Sequence, residues 1–148
     1  MLRLVRSTLL AGMAALALAA CSGDSTGPDP DELAGEYILL TINGQSLPVI
    51  VDQLGNDIIE ITQGTVSLEA DGTFDDVTQL RITESGAVST QVDVTQGTWE
   101  AVGTTVTFRP TDGSGTYSMT WDGQLRLTQL FQGLTLIYER GPLLTAPR

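Results

Sequence analysis

The residues that could do chemistry in this 148-residue chain are few, and their types exclude several kinds of active site. The chain has no histidine and a single cysteine, Cys21. Histidine is the usual general base and the commonest transition-metal ligand, and one cysteine can neither close an internal disulfide nor build a zinc cluster. Ser-His-Asp and Cys-His catalysis are therefore excluded, and we expect no metal and no cofactor.

Two short acidic motifs could suggest a catalytic or ion-binding site, but their spacing does not fit one. Asp75 and Asp76 are adjacent, and adjacent residues of a strand face opposite sides, so they cannot act as a paired acid and base. The run Asp112-Gly113-Ser114-Gly115 lacks the lysine and the further carboxylates of a phosphate or metal loop. We expect a turn between strands there, and we expect that the protein is not an enzyme.

Charge narrows the range of partners. The chain has 18 acidic residues and 7 basic ones, all arginine, and Arg3 and Arg6 lie in the first six positions. Without that end, five arginines face eighteen acidic residues, which is a net charge of −13. A field of that sign repels phosphate backbones, so nucleic acid is not an expected partner.

The amino terminus has the pattern of an export signal. Two arginines precede an apolar run of small residues that ends at Leu18-Ala19-Ala20-Cys21. This order is typical of a signal peptide cleaved between Ala20 and Cys21. The apolar run has about 14 residues and falls short of the roughly 20 that a membrane-spanning helix needs. We therefore assign residues 1–20 to a signal peptide helix that is removed.

The four residues at the cleavage site resemble the lipobox of bacterial lipoproteins, Leu-Ala/Ser-Ala/Gly-Cys. In that family a diacylglycerol is attached to the cysteine sulfur, and the new amino group is acylated with a chain such as palmitate. The resemblance implies a lipid anchor on Cys21 in the bacterial cell envelope. Ser22 after the cysteine implies the outer membrane in a Gram-negative cell. The alternative is an ordinary secretory signal followed by an incidental cysteine.

The rest of the chain divides into three parts. Residues 21–32 are rich in Gly, Pro, Ser and Asp and have no apolar side chain larger than proline after the cysteine, so they predict a flexible tether. Residues 33–141 predict one β domain, and residues 142–148 a short carboxyl-terminal tail. Asp24, Asp29, Asp31 and Glu32 lack the spacing of a calcium loop.

The β domain is predicted from apolar residues that alternate with polar ones in short runs, as at Val88 to Val94, which gives each strand one apolar face. Asp71-Gly72, Gly103 and Asp122-Gly123 mark hairpin turns. The connections are too short for helical crossovers, so the fold class is all-β, an antiparallel meander barrel of about 8 to 9 strands. A two-sheet β-sandwich is the alternative. Pro48 to Gly55 is expected to form a short helix or an irregular lid.

The two ends of this domain resemble the lipocalin-like (calycin) barrels. Gly35-Glu36-Tyr37 opens the first strand, and Arg140 ends the last. In that family the tryptophan of a Gly-x-Trp motif on the first strand packs beneath an arginine near the end of the last. This sequence has Tyr37 at the tryptophan position, and the resemblance implies that Tyr37 and Arg140 close the barrel. Such a contact would contribute on the order of 1 kcal/mol.

Function depends on whether the barrel is hollow. Large side chains predicted to point inward could line a pocket for a small apolar or amphipathic ligand, or could fill the interior. Arg81 and Arg126 alternate with the apolar residues of their strands and are therefore expected to face solvent. The two hypotheses are a ligand-binding lipoprotein and a protein-interaction module with a solid core, for instance an inhibitor or an accessory envelope subunit. The possible lining residues are Phe74, Trp99, Phe108, Tyr117, Met119 and Trp121.

Overall fold

The computed structural model describes residues 27–141, and within that range alternating apolar residues form ten β-strands and one helical turn. Asp29 caps the helical turn by accepting a hydrogen bond from the Asp31 N–H. The elements are α1 (Pro30–Leu33), β1 (Gly35–Ile42), β2 (Gln45–Ser46), β3 (Val49–Leu54), β4 (Asp57–Leu68), β5 (Thr73–Glu84), β6 (Ala87–Val102), β7 (Thr105–Pro110), β8 (Tyr117–Trp121), β9 (Arg126–Phe131) and β10 (Leu134–Arg140).

Eight of these strands close into an antiparallel barrel. Strands β4 to β10 pair in sequence order, and β1 pairs with β10 on one side and with β4 on the other. Closure through β1 rests on four residue pairs, from Gly35 opposite Leu68 to Ile38 opposite Thr65. The prediction of an all-β antiparallel barrel is confirmed, and the sandwich alternative is not what the chain forms.

The interior of the barrel is packed with apolar side chains. Phe74, Phe108 and Tyr117 form an aromatic cluster, in which Phe108 stacks on Tyr117 with ring centroids 4.8 Å apart and meets Phe74 edge to face at 5.0 Å. The remaining buried core residues come from nearly every strand and from α1. They are Leu33, Tyr37, Leu39, Ile42, Val49, Val66, Leu68, Trp99, Val106, Met119, Leu127, Leu136 and Tyr138.

One end of the barrel, which we call the closed end, is covered by α1. Leu33 is fully buried there, and the Tyr37 hydroxyl donates a hydrogen bond to the Leu33 carbonyl at 2.9 Å. The Trp99 indole N–H donates to the Glu69 carbonyl at 3.1 Å. Gly27 contacts the backbone of Ala101. The start of the described chain is therefore packed against the closed end, although residues up to 32 were expected to be tether.

Three strands extend far beyond the opposite, open end of the barrel. Strands β4 and β5 have 12 residues each and β6 has 16, whereas β7, β8 and β9 have 6, 5 and 6. The extensions form a four-stranded sheet with β3, which we call the arm: β3 with residues 57–63, 78–84 and 87–95. At about 3.3 Å per residue, the seven-residue extension of β5 alone spans about 23 Å.

Two sequence predictions fail in the arm. Pro48 to Gly55 was expected to be a helix or a lid, but Val49–Leu54 is strand β3, paired with β4. Its sequence, Val-Ile-Val-Asp-Gln-Leu, does not alternate between apolar and polar residues, and only the extended part of β4 gives it a partner. The valines of β6 were expected on the buried face, but Val88, Val92 and Val94 are 66%, 55% and 56% exposed.

The turns of the arm use residues that tolerate positive φ. The β5–β6 hairpin turns at Ser85 and Gly86, with φ of 50° and 84°. Both central residues of this turn type lie in the left-handed region, which glycine adopts without steric cost. The turn closes an uninterrupted ladder of twelve residue pairs between β5 and β6, so the alternation of faces runs unbroken from the barrel to the tip.

Candidate functional site

The predicted interior residues lie in the barrel, and they fill it. Phe74, Trp99, Phe108 and Met119 are buried, while Tyr117 and Trp121 are half-buried at opposite ends of β8. Close packing of these rings leaves the centre occupied by protein side chains. A ligand would therefore have to bind outside this packed centre.

The Tyr37 and Arg140 side chains lie together at the closed end. The Arg140 guanidinium carbon is 5.5 Å from the centroid of the Tyr37 ring, and Arg140 Nη2 donates a hydrogen bond to the Ala34 carbonyl. Burial raises the pKa of Tyr37, and the charge of Arg140 opposes that rise. The pair links the first strand, the last strand and α1, and its role is to hold the closed end together.

A partly buried carboxylate, that of Asp76, lies at the base of the arm. Asp76 is on the same face of β5 as Phe74 and accepts a hydrogen bond from the Tyr117 hydroxyl at 2.9 Å. Burial raises the pKa of Asp76, and the bond from Tyr117 offsets part of the rise. Asp75 points to the opposite face and accepts a hydrogen bond from the side-chain amide of Gln96. The two acids thus diverge as expected, but one of them is withdrawn from water.

The tyrosines near Asp76 keep their protons. Burial, followed by the charge of Asp76 and the hydrogen bond to it, raises the pKa of Tyr117 well above its usual range. Burial and the Asp76 charge likewise raise the pKa of Tyr138. This group can therefore donate and accept hydrogen bonds at the mouth of the barrel. The sequence did contain a signal for the burial of Asp76. Asp76 is two residues after Phe74, and alternate residues of a strand lie on the same face.

The inner face of the arm continues the apolar lining of the barrel outward from Asp76. Ile61 lies opposite Leu80, and Ile59 lies opposite Ile82, and all four side chains are half-buried. Val49 adds to this row from β3. Cross-strand apolar pairs of this kind stabilise a sheet and shield one another from water.

The outer face of the arm has apolar residues around one ion pair. Arg81 donates two hydrogen bonds to the Glu60 carboxylate, at 2.6 and 2.8 Å. This places Arg81 on the solvent side, as predicted, and Arg126 is exposed beside Glu139 at 3.3 Å. The apolar residues of this face are Ile50, 50% exposed, and the exposed Val88, Val92 and Val94 of β6. Polar side chains such as Gln79 and Thr90 lie between them.

Cavities lie in the walls of the domain. One of about 350 Å³ opens where β1 and β4 separate above their four closing pairs, and Leu39, Leu47 and Gly64 are among its lining residues. Another of about 280 Å³ lies at the closed end between Pro30 and Trp99. Among residues 27–141, no three His, Cys, Asp or Glu side chains are grouped to hold a metal ion.

The predicted signal cleavage site and lipid attachment, at Ala20 and Cys21, lie outside the described residues. Within the described range, no helix has the length and apolar character to cross a membrane. Comparison of the chain with protein-family models, with curated proteins and with solved structures gives no match.

Proposed function

We propose that this protein is a lipid-anchored component of the bacterial envelope that binds another protein through its arm. The observation that carries the proposal is the arm itself, a four-stranded sheet that extends past the open end with apolar residues on both faces. Soluble monomeric proteins rarely keep contiguous apolar surface exposed unless it is used for binding. The packed interior favours this function over a carrier with a hollow barrel.

The two ends of the domain support an orientation for the proposal. Gly27 lies against the closed end, and Cys21 precedes it by six residues. Six extended residues reach at most about 21 Å, so a lipid on Cys21 would hold the closed end near the bilayer. The arm would then point away from the membrane, where a soluble or membrane-bound partner can reach it.

The anchor is tested by metabolic labelling. Cells that express the full chain are fed a labelled fatty acid, and the Cys21→Ser variant serves as the control. We expect label in the wild-type protein and none in the variant. Equal labelling of the two, or labelling of neither, would remove the membrane-anchored part of the proposal and leave the binding part to its own test.

Binding through the arm is tested by site-specific photo-crosslinking in intact cells. A photoreactive amino acid replaces Ile50 on the outer face of the arm, and in a matched control it replaces Leu130, which is 78% exposed on β9 of the barrel. We expect a discrete adduct with a second protein at position 50 and none at position 130. The same adducts at both positions would show that the arm is not the binding surface.

The second candidate function is binding of a small amphipathic ligand at the mouth of the barrel, and the Asp76 cluster favours it. The apolar part would lie on the inner face of the arm, and a hydrogen-bond donor would meet the Asp76 carboxylate. Native mass spectrometry of the purified full-length protein should then show a bound small molecule that is lost in Asp76→Asn. A spectrum with bare protein in both forms would eliminate this function.

A further inference from the structure

One long strand of the arm has a free edge. β6 pairs with β5 along its whole length, but its pairing with β7 begins only at Gly97. Residues 87–95 therefore have no strand on their second side within the described part of the chain. A free edge of nine residues is a ready template for another strand, since its backbone groups have no partner there.

The direction of these backbone groups follows from the next turn of the chain. The Gln96 carbonyl points to the β7 side, where it accepts a hydrogen bond from the Thr111 N–H at 2.9 Å. Alternate residues of a strand direct their N–H and C=O to the same side. Val88, Thr90, Val92 and Val94 therefore present four donors and four acceptors along the free edge.

The side chains of this edge do not block pairing. Proteins commonly protect such an edge with lysine, proline, a bulge or inward charges. Residues 87–95 read Ala-Val-Ser-Thr-Gln-Val-Asp-Val-Thr, with Asp93 as the single charge and no proline. The β5–β6 register has no bulge in this segment. The edge is free of bulges, rich in β-branched residues and exposed along nearly its whole length.

We propose that two copies of this chain pair antiparallel along these edges, around a two-fold axis that passes at Gln91. In that register Val88 lies opposite the partner's Val94, and Thr90 lies opposite the partner's Val92. All four outward-directed residues of each strand then form hydrogen-bonded pairs, about eight inter-chain bonds in total. The two arms become one continuous sheet.

The sequence of the edge favours a second copy in this register. Asp93 lies opposite the partner's Ser89, so the single charge of one edge does not meet the charge of the other. Shifting the register by two residues leaves outward-directed groups without partners. An isologous contact of this kind closes on itself and forms a dimer, not a fibre.

The dimer goes beyond the proposed function and does not depend on it. Edge pairing leaves both faces of each arm open, and it places the exposed valines of the two copies side by side on the outer face. A crosslinked adduct from Ile50 to a different protein, and a dimer through β6, are separate results. Either can fail while the other holds.

Disulfide trapping in the full-length protein tests the register. Gln91→Cys places two thiols opposite each other in a non-hydrogen-bonded pair, where the Cα atoms lie within the range of a disulfide. Ser89→Cys is the matched control, because in this register its neighbour across the interface is the partner's Asp93. Both variants keep the native Cys21, and the wild type shows any background from that residue.

The protein is oxidised with oxidised glutathione in detergent, at about 0.5 M salt, where repulsion between the acidic domains is screened within a few ångströms. We expect a covalent dimer from Gln91→Cys that exceeds the Ser89→Cys and wild-type levels by at least about tenfold. The reason is that only the thiols at position 91 face each other within disulfide distance. Equal yields from the two variants, or none from either, would overturn the proposal.

A charge exchange at the same position provides a second measurement that does not use cysteine. Gln91→Lys and Gln91→Glu each place like charges together at the axis, whereas a mixture of the two places opposite charges there. Sedimentation should show monomers of each variant alone and dimers in the mixture. Monomeric wild-type protein whose Val92 amide resists hydrogen exchange would show that a segment of the same chain covers the edge, and would overturn the dimer.

Discussion

The barrel and the arm share strands β4, β5 and β6, but their residues are stabilised in different ways. In the barrel, inward-pointing residues such as Phe108 pack against aromatic rings of other strands inside a closed wall, here Phe74 of β5 and Tyr117 of β8. In the arm the short strands β7, β8 and β9 do not continue, so Leu80 and Ile82 stay half-buried. Among the arm residues of β4 and β5, only Ile61, at the base of the arm, still packs against the buried core. Identical alternation thus gives a packed core in one region and an accessible surface in the other, and the difference is the length of the facing strands.

The largest effect that separates the two regions is expected at Phe108. Its ring is fully buried between Phe74 and Tyr117. Phe108→Ala should lower the free energy of unfolding by about 3 to 5 kcal/mol, because a cavity replaces a large ring. Urea denaturation followed by tryptophan fluorescence measures it. A loss of less than about 1 kcal/mol would show that the core is loosely packed.

A smaller loss is expected at the closed end. The Tyr37 hydroxyl donates to the Leu33 carbonyl at 2.9 Å, and both residues are fully buried. Tyr37→Phe leaves that carbonyl without its donor and should cost about 1 to 2 kcal/mol. The same denaturation experiment measures it, and Tyr117→Phe, at the open end, is the comparison. An unchanged midpoint for Tyr37→Phe would mean that α1 does not depend on this bond.

At the junction of barrel and arm, stability should depend on pH through Asp76. Its pKa lies above the ordinary value of 3.8, so the folded state holds this proton more tightly than the unfolded state does. The wild type therefore loses stability as pH rises from that value through the raised pKa, and loses no more above it. Asp76→Asn keeps an oxygen that can accept from Tyr117 but has no proton to lose.

The measurement is the difference in unfolding free energy between Asp76→Asn and the wild type across that pH range. We expect the difference to shift in favour of the variant as pH rises, and then to level off. Asp71, whose pKa is held low by hydrogen bonds from Thr73, has the opposite pH dependence but cancels in the difference. A flat difference would mean that Asp76 is solvated.

The smallest effect is expected on the arm. Val92 is 55% exposed on the outer face, so Val92→Ala should change the free energy of unfolding by no more than about 0.5 kcal/mol. Val106→Ala is the matched control, because Val106 is fully buried in the barrel. We expect the buried valine to cost clearly more. Similar losses from both substitutions in the monomer would erase the distinction between barrel and arm.

Much of the fold could be predicted from local pattern. Whether a segment forms a strand or a hairpin, and which of its residues share a face, depends on only a few neighbouring residues. Gly103 and Asp71-Gly72 lie between strands as predicted. The sequence also led to the closed antiparallel barrel, since short connections exclude crossovers. Strand β3 was missed because its sequence does not alternate between apolar and polar residues, and its partner is the part of β4 that extends beyond the barrel.

The candidate site was predicted less well, because burial depends on residues distant in the sequence. The sequence alone determined that Asp75 and Asp76 point to opposite faces, that the strands alternate, and that the domain is strongly acidic. Only the tertiary structure decided that Asp76 meets Tyr117, 41 residues away, and that the valines of β6 face water. The physical reason is that alternation fixes which residues share a face, whereas the strands across the barrel decide whether that face is covered.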